Sequence, residues 1–218
     1  MEKLKDILMK CKSCKEQHEP FNSLDNWCKK IDCQVAKGMY LLEKKKAKDK
    51  KDWNKHKSKR LPVLYPKKYK SLLQSQINLL ARKIDANFNY LCIDCGKPYG
   101  KQIDAAHLHN SQGNENIRFN LHNLHSAKSD CNQFSSEHKV GYRIGIEARY
   151  GKEYLNYIDN ELPLEYKYLG LLDTEVAEKL AIVRKINREF DNIVKDLELN
   201  SIDMRSYFNG LIGIYKNN

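Results

Sequence analysis

The sequence contains no apolar run that approaches the ~20 residues needed to span a bilayer. Its N-terminus also lacks the apolar core of a signal peptide, because lysines and an aspartate interrupt the first ten residues. No segment sets large apolar residues opposite its lysines, as an amphipathic membrane anchor would. These absences lead us to expect a cytoplasmic protein with no membrane partner.

Acidic residues are too few to balance the basic ones. The chain has 39 Lys and Arg against 28 Asp and Glu, which gives a formal net charge of +11. The basic residues are densest between Lys44 and Arg60. Such an excess favours a polyanionic partner, with DNA or RNA first. The segment is either a phosphate-binding surface or simply a solvated helix or linker, and the first candidates for phosphate contact are Lys44, Lys45 and Lys46.

The cysteine count is odd, at seven, which suits a closed disulfide framework poorly. In the cytosol, closely spaced cysteines bind metal more often than they form disulfides. Here they form two groups whose short internal spacings are typical of structural zinc sites. The first group is Cys11, Cys14, Cys28 and Cys33, and the second is Cys92, Cys95 and Cys131.

A set of polar residues is interleaved with the second cysteine group: Asp104-Ala-Ala-His107, Asn123 and Asn132. A neutral His107 imidazole can take a proton from water near neutral pH. Asn123 could accept the other ring N–H of His107 and so fix its tautomer. Asp104 and Asn132 offer oxygen ligands for Mg²⁺ (or Mn²⁺), which would stabilise charge on a scissile phosphate. This order and spacing resemble those of an HNH, or ββα-metal, nuclease.

We therefore predict an α+β fold, in which a small zinc-stabilised ββα-metal (HNH-like) nuclease module carries an N-terminal zinc-finger module and flanking helices. The predicted segments are a zinc-binding module at residues 1–38, a basic helical connector at 39–70, the nuclease domain at 71–160 and a C-terminal helical tail at 161–218. Pro62 and Pro66 are expected to break helix near the end of the connector.

Residue patterns predict individual elements. Apolar spacing predicts a helix over Ser71–Asp85, and strands are predicted over Tyr90–Ile93 and Gln102–Leu108. A further helix should start near Ser129, where a hydroxyl can cap it. Apolar residues of the tail recur at helical spacing, at Val176, Leu180, Val183 and Phe190. That stripe either packs on the nuclease domain or forms the seam of a homodimer.

Further motifs extend the resemblance over roughly residues 1–160. They are Trp27-Cys28, Leu-Ala-Arg-Lys-Ile-Asp85, Arg118-Phe-Asn120, Asn123-Leu-His125 and Tyr142-Arg143-Ile-Gly-Ile-Glu147-Ala-Arg149-Tyr-Gly151. In order and content the chain resembles the phage lambda NinG (Rap) recombination endonuclease family. The resemblance implies a structure-specific endonuclease that cuts branched recombination intermediates, such as Holliday junctions and D-loops, in the host-cell cytoplasm.

Two positions depart from the family pattern. Lys128 stands where the family has a fourth cysteine. Without that cysteine the cluster either holds together without zinc or takes another ligand from Asp130, His125 or His138. Ala106 occupies the place directly before His107, where many HNH enzymes carry an acidic ligand.

Several alternatives stay open. Asn123 could cap a turn and Asn132 a helix, rather than act in catalysis. Arg143 and Arg149 could contact phosphate or lie on a solvated helix face. The two departures leave room for a non-catalytic, zinc-dependent DNA-binding protein. The lysine-rich segment also leaves room for an RNA-binding accessory protein.

Overall fold

The computed structural model describes residues 8–20, 26–134 and 138–215. Internal contacts divide the chain into two compact units, Met1–Ser58 and Lys59–Asn218. The division falls within the first helix, α1 (Ile31–Leu64). The boundaries expected from sequence after residues 38, 70 and 160 also fall inside helical elements.

The first unit is built around a short antiparallel pair, β1 (Met9–Lys10) and β2 (Gln17–His18). Helix α1 follows, and Pro62 lies inside its last turn. Pro62 is therefore itself helical, and the predicted break falls at Tyr65, between the two prolines. Pro62 lacks the N–H that would donate to the carbonyl four residues earlier, and α1 ends two residues later.

The second unit begins with α2 (Pro66–Asn87), which has Pro66 in its first turn, where the missing N–H is no loss. The predicted helix over Ser71–Asp85 is confirmed and extends at both ends. Its core-facing side chains are buried along one face: Leu73, Ile77, Leu80 and Ile84.

The sheet of this unit pairs β3 (Ile103–His107) with β4 (Leu124–Lys128) in antiparallel register. The predicted strand over Gln102–Leu108 is confirmed as β3. The predicted strand over Tyr90–Ile93 is wrong, because Tyr90–Cys92 has irregular backbone and a turn begins at Ile93. Four of the five residues of β4 are buried, so this strand lacks the alternation that would have revealed it.

Short helices follow the sheet. Helix α3 (Ser129–Phe134) starts at the predicted residue and contacts both strands. It is followed by α4 (His138–Tyr150), α5 (Lys152–Asn156), a π-helical segment (Tyr157–Glu161) and α6 (Leu162–Glu165). The described part of the chain is thus a helix-rich mixture of α and β, with two small sheets.

Two helices complete the core, α7 (Val176–Val194) and α8 (Ser201–Ile212). The apolar stripe of α7 is buried within the chain, in the same core cluster as residues of α2 and α8. The prediction that the stripe packs internally is confirmed, and a homodimer seam would need α7 to leave this core. Helix α8 lies within the predicted C-terminal helical tail, although no residue pattern had placed it individually. The Asn200 side chain caps it by accepting from the N–H groups of Ile202 and Asp203.

None of the helices among the described residues is both long and apolar enough to cross a membrane.

Candidate functional site

The first cysteine group forms a compact cluster. The four Sγ atoms of Cys11, Cys14, Cys28 and Cys33 lie within 4.8 Å of one another. The N–H of Cys28 donates to the Cys11 sulfur at 3.3 Å. Burial raises the pKa of the Cys11 thiol, but backbone N–H donors outweigh it and lower this pKa to about 6. Four converging sulfurs, one of which readily ionises, fit a structural zinc ion.

The second cluster has three thiols, from Cys92, Cys95 and Cys131, within 4.8 Å of one another. Lys128, at the position of the missing cysteine, donates its backbone N–H to the Cys92 sulfur at 3.2 Å. Burial, reinforced by the neighbouring thiols, raises the pKa of Cys131 to about 12. A bound cation would offset the repulsion between the ionised thiols, so the cluster also fits a metal ion.

The three suggested replacements for the fourth thiol are engaged elsewhere. The Asp130 carboxylate pairs with Lys128 Nζ at 2.9 Å. The His125 side chain is fully buried and contacts the Tyr142 hydroxyl at 3.0 Å. His138 pairs with Asp94. Within the described residues, three thiols therefore converge at this cluster, and none of the three suggested side chains joins them.

His107 lies at the end of β3, and within the described residues its ring is held on one side only. Its Nε2 atom is 3.0 Å from the carbonyl oxygen of Arg118. Because a carbonyl only accepts, Nε2 carries the hydrogen and Nδ1 keeps its lone pair. Burial lowers the pKa of His107, with a smaller contribution from the Arg118 charge. The imidazole is thus neutral at pH 7, as a general base must be.

The predicted hydrogen bond between Asn123 and His107 is wrong. Asn123 is fully buried, its Oδ1 accepts the N–H of His109 at 2.8 Å, and its Nδ2 donates to the His109 carbonyl at 3.0 Å. It ties the two ends of the loop between β3 and β4 together. The carbonyl of Arg118, farther along that loop, holds the ring instead.

The side chains of Asp104 and Asn132 are hydrogen-bonded to each other. The Asp104 Oδ2 atom accepts from Ser129 Oγ at 3.1 Å, Asn132 Nδ2 at 3.1 Å and Gln133 Nε2 at 3.0 Å. Burial raises the pKa of Asp104, but these donors outweigh it and lower the pKa. Asp104 and His107 are three positions apart in β3, an odd number, so their side chains leave the strand on opposite faces. Asp104 thus holds the Asn132 amide through Oδ2, and direct metal binding by Asp104 stays a prediction.

A polar cavity of about 250 Å³ opens beside His107. Its lining comes from β3, the following loop, α3 and the start of α4: Ala105, His107, Asn110, Ser111, Gln112, Asn132 and His138. The Nδ1 of His138 forms a short contact with the Asp94 carboxylate, which lies between Cys92 and Cys95. His138 was predicted only as a zinc ligand, and the signal for its position beside the cavity was Asp94 in the cysteine motif.

The predicted phosphate contacts differ in their surroundings. Arg143 forms a two-point ion pair with Asp159, with both distances 2.7 Å. Arg149 donates to the Leu91 carbonyl at 2.7 Å and stacks over the Tyr90 ring. Both arginines therefore stabilise the fold, and phosphate contact by them stays a prediction. The three candidate lysines of α1 are exposed: Lys44, Lys45 and Lys46.

A buried polar chain supports the strand that carries His107. Asp85 pairs with Arg205 at 2.6 Å, and both side chains are fully buried. Arg205 Nε donates to His125 Nε2 at 3.4 Å, so His125 Nδ1 carries the hydrogen that Tyr142 accepts. Tyr142 in turn donates to the carbonyl of Ala106 at 3.1 Å. This chain fixes the backbone directly before His107, and Arg205 was not among the predicted residues.

Comparison with known proteins agrees with the motif order. The family model described as Bacteriophage Lambda NinG protein matches residues 1–189. The chain is similar to Protein ninG of Escherichia phage 933W, at 31% identity over 163 residues, which is 69% of this chain and 80% of that protein. It is also similar to Protein ninG of Escherichia phage lambda, at 32% identity over 87 residues, 40% of this chain and 42% of that protein.

No solved structure matches the chain. Because the family model spans most of its length, the chain belongs to the NinG family.

Proposed function

We propose that this chain is a metal-dependent endonuclease of the HNH type that hydrolyses phosphodiesters in branched DNA, such as Holliday junctions and D-loops. The substrate class comes from the family resemblance. The chemistry is argued from the cavity beside His107.

The observation that carries the proposal is the state of the His107 imidazole. Its Nε2–H is bound by the Arg118 carbonyl at 3.0 Å, and burial keeps the ring neutral at pH 7. The unprotonated Nδ1 lies in a ring that lines an open polar cavity. A base in this state can take a proton from a water molecule that attacks phosphorus.

The local architecture also supports an HNH-type site. Strands β3 and β4 are antiparallel, α3 follows β4 without a gap, and α3 contacts both strands. This gives the β–β–α order expected of the type, with His107 at the end of the first strand and Asn132 on the helix.

We expect metal ions to have two roles in this protein, one structural and one at the cavity beside His107. The four-thiol and three-thiol clusters suit structural zinc. The cavity offers an amide oxygen from Asn132 and an imidazole nitrogen from His138 as ligands for a divalent ion such as Mg²⁺ or Mn²⁺. When bound there, such an ion would offset the negative charge that builds on the phosphate and the leaving oxygen.

Cleavage of a labelled four-way DNA junction, compared with linear duplex of the same sequence, tests the proposal. We expect cutting of the junction with Mg²⁺ or Mn²⁺ and none with EDTA. His107→Ala should lower the rate by about 10²–10⁴-fold, the usual contribution of a general base. Arg184→Ala, at an exposed position on α7 outside the basic segment, is the control and should cut like the wild type.

A non-catalytic, zinc-dependent DNA-binding protein is the alternative. The Asp104 carboxylate is already bound by three side-chain donors, which favours this alternative because it leaves the cavity without a direct carboxylate. It predicts tight, salt-sensitive junction binding with no cutting in either metal. Competition by duplex RNA in the same assay would instead indicate an RNA-binding accessory protein.

A further inference from the structure

A second cavity of the same unit lies apart from the one beside His107. Its volume is about 510 Å³, which is within the usual range of small-ligand pockets. Its walls come from the π-helical segment, the end of α6, α8 and the chain just before β4. Among the described residues, it shares no lining side chain with the cavity beside His107. The proposed nuclease reaction therefore does not use it.

Tyrosine rings make up much of this lining, so we call the cavity the tyrosine pocket. Its three tyrosines are Tyr157, Tyr166 and Tyr215. The ring planes of Tyr166 and Tyr215 meet at 75° with their centroids 5.0 Å apart, and the Tyr157 and His122 rings meet at 85°. Rings that meet near a right angle form the corner of a cage, and their faces carry partial negative charge.

A carboxylate joins these rings. Within the described residues, Glu165 is the one charged side chain of the lining. The Tyr157 hydroxyl donates to Glu165 Oε2 at 3.1 Å. Burial raises the pKa of Tyr157 and Tyr166, and the charge of Glu165 raises both further. At neutral pH the pocket thus combines neutral aromatic rings with a single negative charge.

The buried polar groups of the lining are already engaged. The two ring nitrogens of His122 contact hydroxyl groups at 2.8 and 3.1 Å. Asn209 accepts a backbone N–H through Oδ1 and donates through Nδ2 to Asn120. A nucleobase is recognised by hydrogen bonds along its edge, and a phosphate would be repelled by Glu165. The ring faces and the carboxylate are left as the recognition groups, and both attract a cation.

We infer that the tyrosine pocket binds the guanidinium group of an arginine side chain on a partner protein. A cation over an aromatic face is attracted by the ring quadrupole. The planar guanidinium also stacks on such rings while its N–H groups reach a carboxylate, which a compact ammonium group does less well. The whole chain carries a formal net charge of +11, so a pocket with only negative charge suits a partner other than DNA.

Calorimetric titration of the full chain with N-acetylarginine amide tests this site. N-acetylcitrulline amide has nearly the same shape without the charge, and we expect it to bind about tenfold more weakly or worse. Glu165→Gln can still accept from Tyr157 but removes the charge, and it should weaken binding of the arginine compound about tenfold. Glu198→Gln, at an exposed position outside the pocket, should bind like wild type.

A glycine provides a second variant that leaves the recognition groups in place. Gly210 lines the pocket, and a Cβ built on it meets no atom within 4 Å. Leucine at this position of α8 favours helix over glycine and can occupy the pocket. Gly210→Leu should therefore abolish binding of N-acetylarginine amide while its melting temperature stays at or above that of wild type.

Equal binding of the arginine and citrulline compounds would overturn the inference, and so would a wild type that binds neither. Unchanged arginine binding by Glu165→Gln or by folded Gly210→Leu would place any bound cation elsewhere and reject the pocket. Spermidine serves as the other cation in the same titration. If it bound more tightly than the arginine compound, the pocket would belong to a free polyamine and not to a protein side chain.

Discussion

His107 and His125 lie on neighbouring strands, yet of the two only His107 has a ring nitrogen with no partner in the part of the chain that the structure describes. In His125, Nδ1 is bound by Tyr142 and Nε2 by Arg205, and the ring is fully buried. At the scale of single residues, the number of hydrogen-bond partners distinguishes a reactive histidine from a structural one. Because both of its ring nitrogens are bound and the ring is buried, His125 in the motif Asn-Leu-His125 has a structural role in the core.

At the scale of single residues, His122 also leads to a prediction about how the free energy of unfolding depends on pH. Burial lowers the pKa of His122 to about 3, with a smaller effect of the Arg205 charge. Because its folded pKa lies below its unfolded value of about 6.5, the unfolded chain takes up the proton first as the pH falls. The contribution of neutral His122 to the free energy of unfolding should be fully present above pH ~6.5. Below that pH the free energy of unfolding should fall by up to about 1.4 kcal/mol per pH unit, towards pH ~3.

Urea unfolding of wild type and His122→Gln between pH 7 and pH 4 measures this effect. Glutamine can still reach one of the two hydroxyls that His122 contacts, on Tyr154 and Ser206. The variant should lose less stability over this range than wild type. If the free energy of unfolding of the two proteins fell with pH at the same slope, the prediction would be contradicted.

At the scale of elements, the turn that carries Cys92 and Cys95 packs directly on α4. Two glycines one helical turn apart, Gly141 and Gly145, permit this approach. A Cβ on Gly145 would lie 1.6 Å from the Ile93 carbonyl oxygen, which is backbone and cannot rotate away. The metal cluster and the His138 helix are therefore joined without intervening side chains.

Gly145→Ala should lower the free energy of unfolding by ~3 kcal/mol, because the turn must shift away from α4. Gly38→Ala is the control within α1, since nothing lies within 4 Å of its Cβ position. Alanine favours helix there and should stabilise α1 by up to about 1 kcal/mol. Thermal unfolding of both variants, with zinc content measured in parallel, checks the pair. Equal melting temperatures would exclude the proposed clash.

The sequence predicted those parts of the fold whose patterns are local. Helical spacing placed α2 and the α7 stripe, and the HNH-like spacing placed His107 beside the cavity that Asn132 also lines. Strand β4 was missed because burial on both faces removes alternation. The contacts of Asn123 and His138 depend on loop paths and long-range packing, which spacing alone does not carry.

At the scale of the whole molecule, one buried ion pair joins segments that are far apart in sequence. Arg205 on α8 reaches Asp85 at the end of α2, and Asp85 also accepts the N–H of Ser126 on β4 at 2.6 Å. Arg205 lies beyond residues 1–189, which the family model matches. The strand pair that carries His107 therefore depends on a helix outside that match.

Arg205→Leu should lower the free energy of unfolding by about 3–5 kcal/mol, because it leaves Asp85 charged, buried and unpaired. Asp85→Asn in the same chain should recover part of this loss, since asparagine can still accept from Ser126. Urea unfolding of the single and double variants measures the coupling. Arg184→Leu, at an exposed position on α7, should change stability by less than about 0.5 kcal/mol. An Arg205→Leu midpoint equal to this control would contradict the prediction.

The 120-residue separation between Asp85 and Arg205 also has a consequence during translation. At about 5–20 residues per second, the ribosome needs roughly 6–24 s to make the intervening chain. Throughout that interval Asp85 on α2 has no ion-pair partner. The unit that contains His107 can therefore complete its core only after α8 has been made, so the nascent chain stays exposed to chaperones and proteases during that time.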